Sequence, residues 1–411
     1  MMNYESHPGV LLKEHLVEVA RKCRNTILLK NIEHLDKNIL ADSSYLIGIS
    51  HDFGKYTEYF QKSRINKIPI MDENLGNHGL LSALFTFVTL REYVLSRCLN
   101  EHPLYSFLPL IGFFIVKHHH GNLDNIENDV DSEKLFYSDF KHIEKQVINI
   151  LQHSSQINID YSELLSDYDI SASKLLTGME KYKTPILYDC DIENIINDSL
   201  QKPIRVIIQW KNLEIYLITQ LLFSTLIDAD KKNAGKVRSI ERKEIPVSLV
   251  ENHIQQPNFK SQNQSKINHI RNEIRHSVLG NINSKDKIFT LTAPTGTGKT
   301  LASLSAALKL RKLLKQELNL DHEPRIIYSL PFTSIINQSF EEFDKVFKQI
   351  KDYKTRKSEY LLKHHYLSDV FYKTQKKDIE IEVGESLALI ESWESEIVIT
   401  TFIQLFHALI G

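Results

Sequence analysis

The chain has 411 residues, of which 42% are hydrophobic and 25% charged, with 50 Lys and Arg set against 52 Asp and Glu. That length and apolar share exclude a disordered polypeptide and predict two or three folded units, each able to bury its own core. The net charge of −2 excludes capture of a polyanion through bulk charge, so a nucleic acid would have to be met by a local basic groove.

From residue 1 to about 245 the texture is helical. LLSALFTFVTLREYVLSRCL (80–99) and LEIYLITQLLFSTLIDAD (213–230) keep apolar residues at three- and four-residue spacing or are apolar nearly all round, and predict an all-α domain over 1–245. Residues 122–200 are more polar, with clusters of Asn, Asp and Ser. Several polar residues fall in or beside apolar segments, where an unpartnered side chain is costly. They are His15 in LLKEHLVEVA, His51 and Asp52 in SSYLIGISHDFGKYTEYF, His78 in NHGLLSALF, His118, His119 and His120 in IVKHHHGNL, and Asp228 and Asp230 in IDADKKNA. His51 and Asp52 are predicted together on a helix, with Lys55 one turn later on the side of His51. Such a pair can offer a divalent cation both an imidazole nitrogen and a carboxylate oxygen. The basic run Lys231, Lys232, Lys236, Arg238, Arg242 and Lys243 reads either as a solvated face or as a guide for a DNA backbone.

Two prolines, many Asn and Gln, and no sustained period predict a linker over 246–265. Over 266–411 short β-type runs alternate with helices: IFTLTA (288–293), a helix from Lys299, RIIYSLP (325–331) and EIVITT (396–401). That order predicts βαβ units on a parallel sheet. Between the first strand and its helix stand Pro294, Thr295, Gly296, Thr297, Gly298, Lys299 and Thr300. Glycines there turn backbone N–H groups towards phosphate oxygens, Lys299 reaches the β and γ phosphates, and the Thr300 hydroxyl ligates Mg²⁺, so the loop predicts ATP binding. Ala293 stands where the strict pattern has its first glycine.

Three cysteines, Cys23, Cys98 and Cys190, with no CxxC spacing, argue against a disulfide framework or a thiolate-held metal. Glu5, Glu14 and Glu18 interrupt any signal-peptide core, and no stretch approaches about 18 apolar residues. A cytoplasmic protein without a membrane partner is expected.

The AxTGxGKT form of the loop is the one usual in superfamily 2 helicases. PTGTGKTLASLSAALKLR, RIIYSLPFTSIINQSFEEFDKVF, LLKHHYLSD and LALIESWESEIVITTFIQLFHALI resemble, in this order, the DExH helicase of type I CRISPR systems. The resemblance implies a RecA-like lobe in which Pro331 to Gln338 grip the DNA backbone and Thr400, Thr401 and Gln404 contact the strand again. The series H…HD…H…HH…D resembles the HD phosphohydrolase superfamily, and with HDFGK and HHG its nuclease branch attached to that helicase. Position by position, this implies His15, His51, Asp52 and an aspartate of IDAD around one metal, and His78, His119 and His120 around a second, with Asp52 bridging. His118–His119 and Asp228 are alternatives in register; the family pattern favours His119–His120 before Gly121, and Asp230 in an Ala-Asp dipeptide. His51, Asp52 and Lys55 are then the expected catalytic set, Lys55 facing the scissile phosphate. Imidazole-rich ligation points to Mn, Fe, Co or Ni more than Mg. Single-stranded DNA and the guide-RNA surveillance complex, Cascade, are the implied partners in antiviral defence. No Asp-Glu-x-His follows the phosphate loop before Gly411, so the expectation is a chain truncated within the first lobe, with ATP bound but not turned over. The competing expectations are an HD nucleotidase or cyclic-oligonucleotide phosphodiesterase, and an inactive chain that retains docking surfaces.

Overall fold

The computed structural model describes residues 3–99, 102–123, 140–180, 213–235, 241–256, 266–365 and 392–410. Cys190, Lys236 and Arg238 lie outside the described residues. The chain divides into two compact units, Met1–Ala234 and Gly235–Gly411.

The first unit is a helical bundle with a small antiparallel hairpin, β1 (Glu5–His7) and β2 (Val10–Leu11), at its start. Its main helices are α1 (Leu12–Leu28), α2 (Lys37–Ser50), α3 (Gly79–Ser96), α4 (Leu108–Lys117), α5 (Phe140–Gln152), α6 (Ser154–Leu164), α7 (Ala172–Glu180) and α8 (Leu213–Ala234). In α1 the apolar residues Leu12, Leu16, Val19, Ala20, Cys23 and Ile27 recur at helical spacing and are fully buried. They share one core with Leu40 and Ile47 of α2, Leu84 and Phe85 of α3, and Leu222 and Leu226 of α8. One correction concerns membranes: α3 is long and apolar enough by composition to cross one. In the fold it is mostly buried, the middle of the core rather than a lone apolar rod.

Gly48 sets how closely α1 and α2 approach. A Cβ there would stand 2.6 Å from the Cα of Ala20, a distance no packed pair tolerates. Gly48→Ala is therefore expected to lower stability by roughly 1–3 kcal/mol, the range for overpacking a filled core. A urea or thermal midpoint equal to the parent's would refute this account of the contact.

The second unit holds a parallel sheet of β3 (Ile326–Leu330), β4 (Leu361–His364) and β5 (Ile397–Thr401) in the order β3-β5-β4. Ile326 is paired with Ile397, and Leu361 meets Ile397 from the other side. Its core joins Ile397 and Ile399 to Leu304 and Leu308 of α11 (Lys299–Glu317) and to Ile336, Phe343 and Phe347 of α12 (Thr333–Phe347). Helices α9 (Leu249–Ile254), α10 (Lys266–Asn281) and α13 (Phe402–Ile410) complete it.

Two sequence expectations fail here. The predicted linker over 246–265 contains α9, whose Leu249 and Val250 are buried with Ile245 in the second core; residues 257–265 lie outside the described set. The division accordingly falls at Ala234, earlier than residue 245. IFTLTA is not a strand: residues 288–293 make no ladder, and Ile288 is 85% exposed. A strand is defined by its neighbour, and none of the described strands pairs with this segment.

Candidate metal centre and nucleotide loop

His51 and Asp52 do not sit within a helix as predicted. His51 caps the C-terminus of α2, and Asp52 leads into a 3₁₀ turn over Phe53–Tyr56. That bend turns two adjacent side chains into one space, where a continuing helix would have splayed them about 100° apart. Gly54 permits the turn to touch the backbone of His78, because a Cβ there would lie 2.6 Å from the His78 carbonyl oxygen. Donors from α1, α2, the start of α3, the end of α4 and α8 converge on this point.

The Asp52 carboxylate stands at the middle, and its two oxygens face different groups. Oδ2 lies 3.1 Å from His15 Nε2, 3.3 Å from His51 Nε2 and 2.7 Å from Lys55 Nζ. Oδ1 lies 3.0 Å from His78 Nε2 and 3.5 Å from His119 Nε2. Asp230 Oδ1 closes the first group, 3.3 Å from His15 Nε2 and 3.7 Å from His51 Nε2. His120 Nε2 closes the second, 2.9 Å from His78 Nε2. Within each group, His15–His51–Asp230 and Asp52–His78–His119–His120, the donor atoms all lie within 4.8 Å of one another.

Three of these atoms, His51 Nε2, His119 Nε2 and Asp52 Oδ1, are buried without a hydrogen-bond partner. Orphaned buried polar atoms are expensive unless something between them satisfies them. The ring nitrogens on the far side are already engaged: His51 Nδ1 on the Gly48 carbonyl at 2.7 Å, His119 Nδ1 on the Val116 carbonyl at 2.6 Å, and His15 Nδ1 on Asn233 Oδ1 at 2.6 Å. Each contact uses Nδ1 as donor to a carbonyl oxygen, which leaves Nε2 with its lone pair aimed inward, the tautomer a metal requires. The donor set therefore fits one or two divalent cations.

The electrostatics divide along the same line. Burial opposes charge on His51, yet Asp52 and Asp230 raise its pKa to about 10. Burial would raise Asp52, but the charges of His51 and Lys55, with the His119 and His15 rings beside it, hold it well below the usual carboxylate range. His78 goes the other way, pushed down to about 4 by burial against the pull of Asp52, and His120 to about 3 by burial beside His119 and His78. At neutral pH His78 and His120 are thus neutral and open to a cation, whereas a cation beside His51 must displace a proton from it. Loading weakens as pH falls.

In the two ambiguous pairs, Asp230 and His120 face these groups. Asp228 instead pairs with Lys232 at 2.7 Å, and the His118 ring lies against Phe114. Asp230→Ala and His120→Ala are each expected to lose bound metal, with Asp228→Ala and His118→Ala retaining it in elemental analysis; the reverse pattern would overturn this register. Lys55, predicted beside His51, is buried and ion-paired to Asp52. The predicted DNA-guiding run is largely spoken for as well: Lys232 pairs with Asp228, Arg242 with Glu396, and Lys243 with Glu241 and Glu359. Sequence reasoning missed Asn233, which orients His15 and stands one helical turn after Asp230, and His7, whose ring lies 5.6 Å from that of His15. The i, i+3 spacing on α8 was a usable signal for the first; nothing marked the second.

In the second unit, Gly296 and Gly298 take φ of +81° and +79°, the left-handed conformation that the phosphate loop needs and glycine supplies. Thr295 belongs to the same turn. The Thr297 hydroxyl donates to the Pro294 carbonyl at 2.7 Å, Lys299 Nζ to the Ala293 carbonyl at 2.7 Å, and Thr300 begins α11. Arg271 of α10 donates twice to the Gly296 carbonyl, at 3.0 and 2.8 Å. Thr401 Oγ1 accepts from the Gln404 backbone and caps α13, while Thr400 is fully buried.

A family model for the DEAD/DEAH box helicase matches residues 272–401. Among curated proteins, the CRISPR-associated nuclease/helicase Cas3 of Haloferax volcanii is 37% identical over 143 residues. The match covers 33% of this chain and only 14% of that protein's length. The second unit thus carries a DEAD/DEAH helicase domain, which implies ATP with Mg²⁺ as its ligand, and the chain is similar to a Cas3-type helicase.

Proposed function

We propose that the first unit is an HD-type metal-dependent nuclease for single-stranded DNA, joined to an ATP-dependent helicase module and working with a guide-RNA surveillance complex in type I CRISPR interference. One observation carries the nuclease part: a buried carboxylate, Asp52, whose two oxygens face two separate clusters of inward-aimed imidazoles. His15, His51, Asp52 and Asp230 would hold one ion and His78, His119 and His120 the other, with Asp52 shared. Bound there, divalent Mn, Fe, Co or Ni supplies Lewis acidity to the phosphodiester and lowers the pKa of water. The chain's own groups do the rest. Lys55, held 2.7 Å from Asp52, fixes the carboxylate's orientation and adds positive charge beside the reacting phosphate. Asn233, the Gly48 carbonyl and the Val116 carbonyl keep three imidazoles in the ligating tautomer.

Nothing in this centre comes from the helicase domain, so strand cutting needs no ATP. With Mn²⁺, Co²⁺ or Ni²⁺ and no ATP, the chain is expected to cut single-stranded DNA and to leave intact duplex largely untouched, since opening a duplex requires an ATP-driven motor cycle. Equal rates on both forms, release of nucleosides from mononucleotides in preference to cutting oligonucleotides, or cutting that persists in EDTA would each overturn the reading. ATP and Mg²⁺ are assigned to Thr295–Thr300.

A further inference from the structure

Beside the metal centre lies a cleft of about 380 Å³ whose eleven lining residues include Lys55, Arg64, Lys67, His7 and His78 and not one Asp or Glu. In a chain with net charge −2, an acid-free basic cleft that opens on two members of the centre is the local groove that bulk composition could not supply.

Its walls are built. Gln61 Nε2 donates to the Glu5 carbonyl at 2.9 Å and to the Lys55 carbonyl at 2.8 Å, while its Oε1 accepts from the Glu5 backbone, so one side chain ties the hairpin to the turn that carries Lys55. Gln61–Ile65 form a single π-helical turn, an irregularity that recurs at functional sites. Lys67, just beyond it, takes φ of +57°, a conformation costly for a side chain with a Cβ. Both departures place a cation on the cleft. Arg64 and Lys67 have no carboxylate partner among the described residues; Arg64 makes one hydrogen bond, to the neutral Asn77 Oδ1 at 3.2 Å. Lys62, in the same turn, is by contrast paired with Glu58.

We infer that this cleft is the strand-holding subsite of the first unit, in which Arg64 and Lys67 grip the phosphate next to the one being cut. The inference rests on the nuclease reading for the identity of the strand. Both residues are positioning residues, and the backbone they hold fixes which phosphodiester reaches Asp52.

The test uses the full chain carrying Asp52→Asn, which removes cutting, and a fluorescein-labelled dT12 followed by anisotropy. Arg64→Gln and Lys67→Gln should each weaken binding by roughly fivefold to tenfold and flatten the logarithmic salt dependence by about 0.7, the increment for one phosphate contact on a single strand. Lys62→Gln, the same charge change on the same turn, should leave affinity as it was. Equal affinity and salt slope in all three variants would overturn the subsite. So would competition by thymidine monophosphate that falls as much as strand binding does in Arg64→Gln, since the ligand would then be a lone nucleotide. If the metal-loaded parent never cuts DNA, the nuclease reading fails, and the anisotropy series still decides whether the cleft holds a strand.

Discussion

Asp52→Asn, assayed with Mn²⁺ present, is expected to cut single-stranded DNA at least roughly 10³-fold more slowly than the parent, the upper range for deletion of one electrostatic group at a reacting centre. The substitution keeps shape and changes one atom. The carboxylate presents Oδ2 to His15 and His51 and Oδ1 to His78 and His119. An amide offers a single ligating oxygen, and its NH₂ has no lone pair to give a cation. One of the two groups therefore loses its shared ligand, and elemental analysis should find fewer ions per chain. Lys55, buried and paired with Asp52, is left without its counter-charge, so some loss of stability accompanies the change. The two effects separate by measurement: circular dichroism and the melting midpoint report the fold, and the metal count reports the site. Cutting at the parental rate in a folded Asp52→Asn chain would remove the centre from the mechanism altogether.

The sequence revealed the membership of this centre more readily than its geometry. Each ligand candidate announced itself as a polar residue in or beside an apolar segment, because a buried imidazole without a purpose is selected against by its own desolvation. What the spacing could not provide was the break after Ser50. A helix continued through His51 and Asp52 predicts Lys55 beside His51; the 3₁₀ turn brings it to Asp52. The misreading of IFTLTA has a different cause. Its alternating apolar residues meet the local requirements of a strand, but a ladder also needs a partner elsewhere in the chain, and pairing is a non-local property. In the supposed linker, prolines and amides hid the start of a short helix, whose Leu249 and Val250 are buried together with Ile245 just before it. The cleft at Arg64 and Lys67 was invisible for a further reason. It is assembled from separated stretches, and Arg64 and Lys67 look ordinary until their lack of a carboxylate partner among the described residues is seen in space.

Glu396→Ala is expected to destabilise the second unit by about 3–5 kcal/mol, the cost of removing one partner from a buried ionic network. Glu396 immediately precedes β5 and is 1% exposed; Arg311 of α11 is 2% exposed and lies 2.7 Å from it. Arg242 grips the same carboxylate with two nitrogens, each at 2.9 Å, and the Lys243 backbone N–H donates to it at 2.7 Å. Arg311 also meets Glu323 at 2.8 Å. Removing the carboxylate strands two guanidinium groups, one of them fully desolvated, and Glu323 alone cannot neutralise both. Burial would raise the Glu396 pKa, but Arg242, the Lys243 backbone and Arg311 lower it. A lowered carboxylate contributes stability that is complete above its unfolded pKa, near 4.5, and is lost as pH falls through the folded value. The gap between parent and Glu396→Ala should therefore be widest at neutral pH and close on acidification below pH 4.5. At pH 7 it corresponds to a fall of roughly 10 °C in the melting transition of a unit this size. Metal content serves as the internal control, because every proposed ligand from His15 to Asp230 belongs to the first unit. A chain that melts like the parent at pH 7, or one whose deficit grows on acidification, would show that the sheet does not depend on this network.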